Sequence, residues 1–144
     1  KADMPFRNPA PAELAALFRR IRRVAVVGLS NRSDRISYGV SHAMQSFGFD
    51  IVPVNPQIDE ALGQKAYPDL DSLPAPVDCV NVYRRAEELD AIVEAAIRIQ
   101  APVLWIQEGI VNEAAALRAQ AAGLTVVMDR CIYKDYLAYG RETT

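Results

Sequence analysis

"VAVVGLSNRSDRISYGV", residues 24–40, is the stretch whose reading decides the fold. Val24 to Val27 are apolar without interruption and Gly28 ends the run. An unbroken apolar run closed by glycine predicts a strand buried on both faces, as in a parallel sheet. Serines and arginines follow. Then Val40, Ala43, Met44 and Phe47 recur at helical spacing, with Gly48 as the stop. Strand, polar loop, helix is the opening of a βαβ unit, so the rest of the chain is expected to alternate in the same way.

Upstream, "PAELAALFRRIRR" sets Leu14, Leu17, Phe18 and Ile21 on one helical face, with Pro11 in the first turn and arginines in the last. That predicts a helix over about 11–22. Downstream, "DIVPVNP" (50–56), "VDCVNVY" (77–83), "PVLWIQ" (102–107) and "LTVVMD" (124–129) predict further strands. Leu89, Ile92, Val93, Ala96 and Ile97 mark a helix between them, Asn112 to Ala122 another closed by Gly123, and Lys134 to Ala138 a last helical turn. Residues 57–76, rich in Pro, Asp and Gly, predict a long connection with at most a short helical turn. The expected fold is α/β: a Rossmann-like, doubly wound parallel sheet of about five strands, order 3-2-1-4-5, in three αβα layers. Residues 1–144 are expected to form one domain, with the N-terminal helix at about 11–22 and the Rossmann-like core at about 23–135.

With 51% apolar and 24% charged residues the composition is that of a soluble globular protein. A net charge of -2 argues against a surface given over to nucleic acid. No apolar run approaches the roughly 20 residues of a membrane helix, and no secretory signal is expected in the stretch that opens at Lys1. Cys79 and Cys131 lie far apart without CxxC spacing, which predicts neither a zinc site nor a disulfide framework and makes a reducing cytoplasm the default. The lone histidine, His42, restricts metal and acid–base chemistry and is expected to be a surface or packing residue.

In an open doubly wound sheet, ligands bind outside the carboxyl ends of the strands, where the strand order reverses. Five loops are thereby singled out: 28–37, 55–56, 83–85, 107–110 and 129–131. Gly28 lets the backbone turn and approach a ligand. Ser30, Ser33 and Ser37 offer hydroxyls, and Arg32 and Arg35 offer charge-assisted donors suited to phosphate. A helix starting near Ser37 adds free N–H groups and a positive dipole end, and Arg84 and Arg85 add a second basic pair. The alternative is a solvated loop in which Ser37 is only an N-cap. Three signatures are missing: there is no GxGxxG, no GxxxxGK[ST], and the second strand ends in Val54-Asn55-Pro56 where an NAD enzyme carries Asp or Glu. Tyr83 is the candidate to stack on a base, Trp105 and Cys79 are expected in the core, and Cys131 is either a packing residue or a thiol facing the ligand. Glu108 and Asp129 stand on the same edge, and Asp129 is expected to bond nearby backbone or Arg130.

"VAVVGLS", "DRISYGV", "VPVNP", "VDCVNVYRR", "WIQEGI" and "AAGLTVVMDRC" together resemble the small single-domain CoA-binding proteins. These are in turn similar to the CoA-binding domain of the succinyl-CoA synthetase α subunit. The resemblance runs over about residues 20–135. It implies a Rossmann-like domain with coenzyme A as cofactor. The nucleotide end would lie over Gly28, Ser30, Arg35 and Ser37, with further contacts at Asn55, Pro56, Tyr83 and Arg84. The pantetheine arm would run toward Gln107, Gly109 and Ile110. CoA carries a diphosphate and a ribose 3′-phosphate, which suits a rim with several arginines. In the synthetase a lysine follows the second strand. Here "NPQIDE" stands, so Arg35, Lys65 or Arg84 would have to serve. The synthetase's phosphorylated histidine lies in a second domain, and His42 has no matched position. The expected function is non-catalytic binding of CoA or an acyl-CoA, as carrier, sensor or regulatory module. It is expected to be cytoplasmic, with no catalytic residue, metal, nucleic acid or membrane, and with a protein partner left open. The alternative is an enzyme of the nucleotide-cofactor class, either an NAD-type oxidoreductase or an acyl-CoA ligase fragment needing a partner chain.

Overall fold

The computed structural model describes residues 5–141, so Lys1 lies outside them. Helix α1 (Pro11–Arg20) precedes β1 (Arg23–Val27), and α2 (Ile36–Ser46) leads from it to β2 (Asp50–Val54). A small hairpin, β3 (Glu60–Ala61) and β4 (Gln64–Lys65), and a single turn at Leu70–Ser72 fill the long connection. Then come β5 (Cys79–Val82), α3 (Leu89–Arg98), β6 (Val103–Ile106), α4 (Glu113–Ala121), β7 (Thr125–Met128) and α5 (Ile132–Asp135). A π-type turn over Tyr136–Gly140 follows.

Five parallel strands form one sheet in the order β2-β1-β5-β6-β7. The α/β, doubly wound expectation holds, but the strand order does not. Counted along the chain, the sheet reads 2-1-3-4-5 instead of 3-2-1-4-5, because β5 lies beside β1 and not outside β2. The outer edge of β2 is already occupied by the connection. The Tyr67 N–H donates to the Pro53 carbonyl at 3.0 Å, and the Asn55 N–H donates to the Tyr67 carbonyl at 2.8 Å. Pro53, which has no N–H to offer, stands on this outer edge, a place where a sheet tolerates it. The chain then returns to the free edge of β1, where the Asp78 carboxylate accepts from the N–H groups of Arg22 and Arg23 at 2.9 Å each.

Both faces of the sheet are covered, which is why the strands are apolar without alternation. Ala25, Val27, Val80, Val82, Leu104 and Ile106 pack with Leu89 and Val93 of α3 and Ala115, Ala116 and Ala119 of α4. Val24, Val26, Cys79, Trp105 and Val127 pack on the other face with Leu14, Leu17 and Phe18 of α1, Met44 of α2 and Ile132 of α5. Trp105 and Cys79 are core, as expected, and burial pushes the Cys79 thiol pKa up, which keeps it protonated and inert. The connection out of β1 therefore leaves toward one face and the connection out of β5 toward the other. Their point of divergence fixes where the crevice opens.

Candidate functional site

The crevice lies between the carboxyl ends of β1 and β5. Gly28 turns the chain out of β1 with φ +91°, and its N–H donates to the Val54 carbonyl at 2.8 Å. A Cβ on Gly28 would collide with the carbonyl oxygen of Tyr83 and stand 3.4 Å from Nε of Arg84. The close approach that this glycine permits is to the backbone leaving β5.

The serines of the 28–37 loop stitch it together. Ser37 is buried, and its Oγ accepts from the Ser30 N–H at 3.0 Å; the Ser30 Oγ accepts from the Arg32 N–H at 3.0 Å. Ser37 is not the N-cap of α2: Arg35 holds that position, and no side chain among the described residues caps the helix. The first-turn N–H groups of α2 are thus left for another acceptor. Arg32 pairs with Asp34 at 3.2 Å and Arg85 with Glu88 at 3.3 Å. Among the described residues no carboxylate lies within ion-pair distance of Arg35 or Arg84.

Asn55 is engaged at both ends: its Nδ2 donates to the Leu29 carbonyl at 3.0 Å and its Oδ1 accepts from the Gln57 N–H at 2.9 Å. It braces the loop after β1 against the end of β2. Pro56 and Arg84, with Val27, Val54, Leu70 and Ile92, line a cleft of about 550 Å³ between the ends of β1 and β2 and helix α3. The Tyr83 ring packs into the layer beneath α2, and its hydroxyl has no hydrogen-bond partner among the described residues; burial drives its pKa up. What Tyr83 gives the rim is its backbone, not a free ring face. Lys65 lies elsewhere. It sits 5.3 Å from the centre of the Tyr67 ring and lines a separate cavity with Arg23 and Asp50, where β2 begins. Of the three cations open to the role, Arg35 and Arg84 remain.

The 107–110 loop is held from several sides. Gln107 is buried, and its Oε1 accepts from Asn81 Nδ2 at 3.2 Å and from the Ile132 N–H at 3.4 Å. The Asn81 amide also donates to the Trp105 carbonyl at 3.1 Å. The Ile110 N–H turns back onto the Gln107 carbonyl at 3.1 Å, and Lys134 reaches Glu108 at 3.1 Å. Gly109, at φ +90°, donates its N–H to Asp129 Oδ1 at 2.8 Å. Asp129 therefore bonds backbone, as expected, but across to the next loop, while Arg130 forms a two-pronged pair with Asp135 at 2.6 and 2.9 Å. Asn81 escaped sequence reasoning, although a polar residue inside an unbroken apolar strand was the available signal. Cys131 is buried just ahead of α5, and His42 is exposed on α2 beside Tyr38, their ring centres 6.1 Å apart. No metal-holding cluster occurs among the described residues. A larger groove, about 690 Å³, runs between α1 and the edge strand β7, but none of the candidate residues lines it.

Residues 22–136 match the family described as CoA binding domain. The chain is 50% identical over 126 residues to "Uncharacterized protein YneT" of Bacillus subtilis (strain 168), covering 88% of this chain and 93% of that protein. A trans-feruloyl-CoA synthase from an unknown prokaryotic organism is 39% identical over 82 residues, 55% of this chain but 12% of the synthase. Among solved structures, a hypothetical protein from Pyrococcus horikoshii OT3 superposes with a TM-score of 0.89 at 28% identity, over 96% of this chain and 98% of that one. A dinucleotide-forming acetyl-coenzyme A synthetase of Ca. Korarchaeum cryptofilum shares the fold over 78% of this chain and 28% of its own, with a TM-score of 0.68 at 22% identity.

Proposed function

The chain belongs to the CoA-binding domain family, and from that premise we propose that it binds coenzyme A or an acyl-CoA across the crevice between β1 and β5. The observation that carries this reading is a convergence. Two arginines with no carboxylate partner among the described residues stand on the carboxyl edge of the sheet: Arg35 at the uncapped start of α2, and Arg84 beside Gly28, lining a cleft of about 550 Å³. Arginines and free helix N–H groups are the donors that a diphosphate and a 3′-phosphate require. The phosphates would lie over Gly28, Ser30, Arg35 and Ser37. The adenosine would enter the cleft at Pro56 and Arg84, against Val27 and Val54, and the pantetheine arm would run toward Gln107, Gly109 and Ile110. Asn55 is engaged with Leu29 and Gln57, so the end of β2 offers no carboxylate and no free amide to a ribose diol. That favours a phosphorylated ribose over NAD.

The role that follows is binding without catalysis, as a carrier, sensor or regulatory module acting as one domain. The rim carboxylates Glu108 and Asp129 are tied to Lys134 and Gly109. The two free cysteines are buried and suit a reducing compartment such as the cytoplasm. Among the described residues no helix is long and apolar enough to cross a membrane. A second reading, a CoA site serving a ligase partner chain, is favoured by the 82-residue likeness to the trans-feruloyl-CoA synthase. It would use the same crevice. Thermal unfolding tests the ligand directly, because a compound that binds only the native state raises its apparent stability. CoA should raise the midpoint more than NAD at equal concentration. A larger shift with NAD, or none with saturating CoA, overturns the proposal.

A further inference from the structure

We propose that Asp129 is a positioning residue, whose carboxylate presets the Gln107–Ile110 loop to receive the pantetheine arm; the inference rests on the CoA reading above. Among the described residues, three that are not glycine adopt a positive φ: Leu62, Gln100 and Asp129. Leu62 lies in the two-residue turn of the β3–β4 hairpin, and Gln100 closes α3, so both have a local reason for the conformation. Asp129 stands just past β7 on the ligand edge at φ +62°, and its side chain leaves its own loop to accept the Gly109 N–H at 2.8 Å. A glycine would make the same turn without the strain of a side chain in the left-handed region. What aspartate adds there is the acceptor.

That acceptor completes a set. Gln107 is held from β5 by Asn81 and from α5 by the Ile132 N–H, Glu108 is held by Lys134, and Gly109 is held by Asp129. Three neighbouring elements therefore fix one short loop, with Val111 exposed beyond it. Pantetheine is a flexible chain with two amides, so its binding depends on a partner whose own groups are already in place. Order that exists before the ligand arrives is not lost from affinity when it binds.

Calorimetry on the wild type, Asp129→Gly and Asp129→Asn tests this with two ligands. One is CoA, and the other is adenosine 3′-phosphate 5′-diphosphate, its nucleotide half without the arm. Asp129→Gly, at ease at this φ, should fold normally and bind CoA about tenfold more weakly while holding the nucleotide half as before. Asp129→Asn keeps an oxygen acceptor and tolerates the left-handed conformation, so it should restore CoA binding. Equal losses on both ligands, no loss of CoA in the glycine variant, or no rescue by asparagine would each overturn the positioning role while leaving CoA binding intact. A wild type that binds neither ligand would bring down the CoA reading, and this inference with it.

Discussion

At Gly28 the backbone leaves β1 with φ +91°, and the carbonyl carbon of Tyr83 stands 3.1 Å from the place a Cβ would take. The obstacle is backbone, anchored in the sheet through the Tyr83 N–H, which donates to the Val27 carbonyl at 2.8 Å. It cannot swing aside as a side chain would. Gly28→Ala should therefore cost about 2 kcal/mol or more in urea unfolding, combining a left-handed backbone with a collision. An alanine variant as stable as the wild type would mean that β1 and β5 can part at this point. The sequence shows that the loop opens with glycine, but not that the atoms coming close are those of Tyr83. The same limit applies to the polar residues. Spacing gathers Ser37, Asn55, Arg35 and Arg84 at one edge, yet Ser37 and Asn55 already bond the chain while the two arginines have no carboxylate partner among the described residues.

The three crossover helices end in one way. After α2 the Gly48 N–H bonds Gln45 and the Phe49 N–H bonds Met44; after α4 the Gly123 N–H bonds Gln120 and the Leu124 N–H bonds Ala119. After α3 the same pair of bonds runs from Gln100 to Ile97 and from Ala101 to Ala96. This is the Schellman closure, whose turning residue is usually glycine. Gly48 and Gly123 announced their helix ends in the sequence, whereas Gln100, at φ +59°, gave no such signal. Gln100 is exposed, so Gln100→Gly removes strain without removing core. It should raise stability by about 1 kcal/mol in urea unfolding; a loss would mean that the glutamine side chain holds something at the surface. The β3–β4 hairpin was illegible for a related reason. Its turn is Leu62-Gly63, with φ of +54° and +76°, and only the glycine half of the usual Asn-Gly signal is present.

For the whole molecule, apolar period identified the sheet strands and glycine the main turns, but neither says which strand neighbours which. The outer edge of β2 is closed by Tyr67, from within a connection whose composition predicted little structure, and that contact sends β5 to β1. The switch point still falls at Gly28, so the candidate edge was legible although the strand order was not. Charge has the same two-scale character. The chain carries a net charge of -2 while two rim arginines have no ion pair among the described residues, so an anionic ligand gains nothing from the overall field and depends on attraction at the rim. Arg35 is exposed, which makes its share of that attraction open to screening. Raising salt from about 0.1 M to 1 M shortens the Debye length from about 10 Å to about 3 Å. CoA affinity should then fall several-fold. Arg35→Ala should start about 1.5–3 kcal/mol weaker at low salt, as for a lost hydrogen bond to a charged group, and should fall less as salt rises. Its unliganded unfolding should match the wild type. Calorimetry across the salt range reads both slopes, and identical slopes would place the phosphates away from Arg35, leaving Arg84 and the start of α2 to hold them.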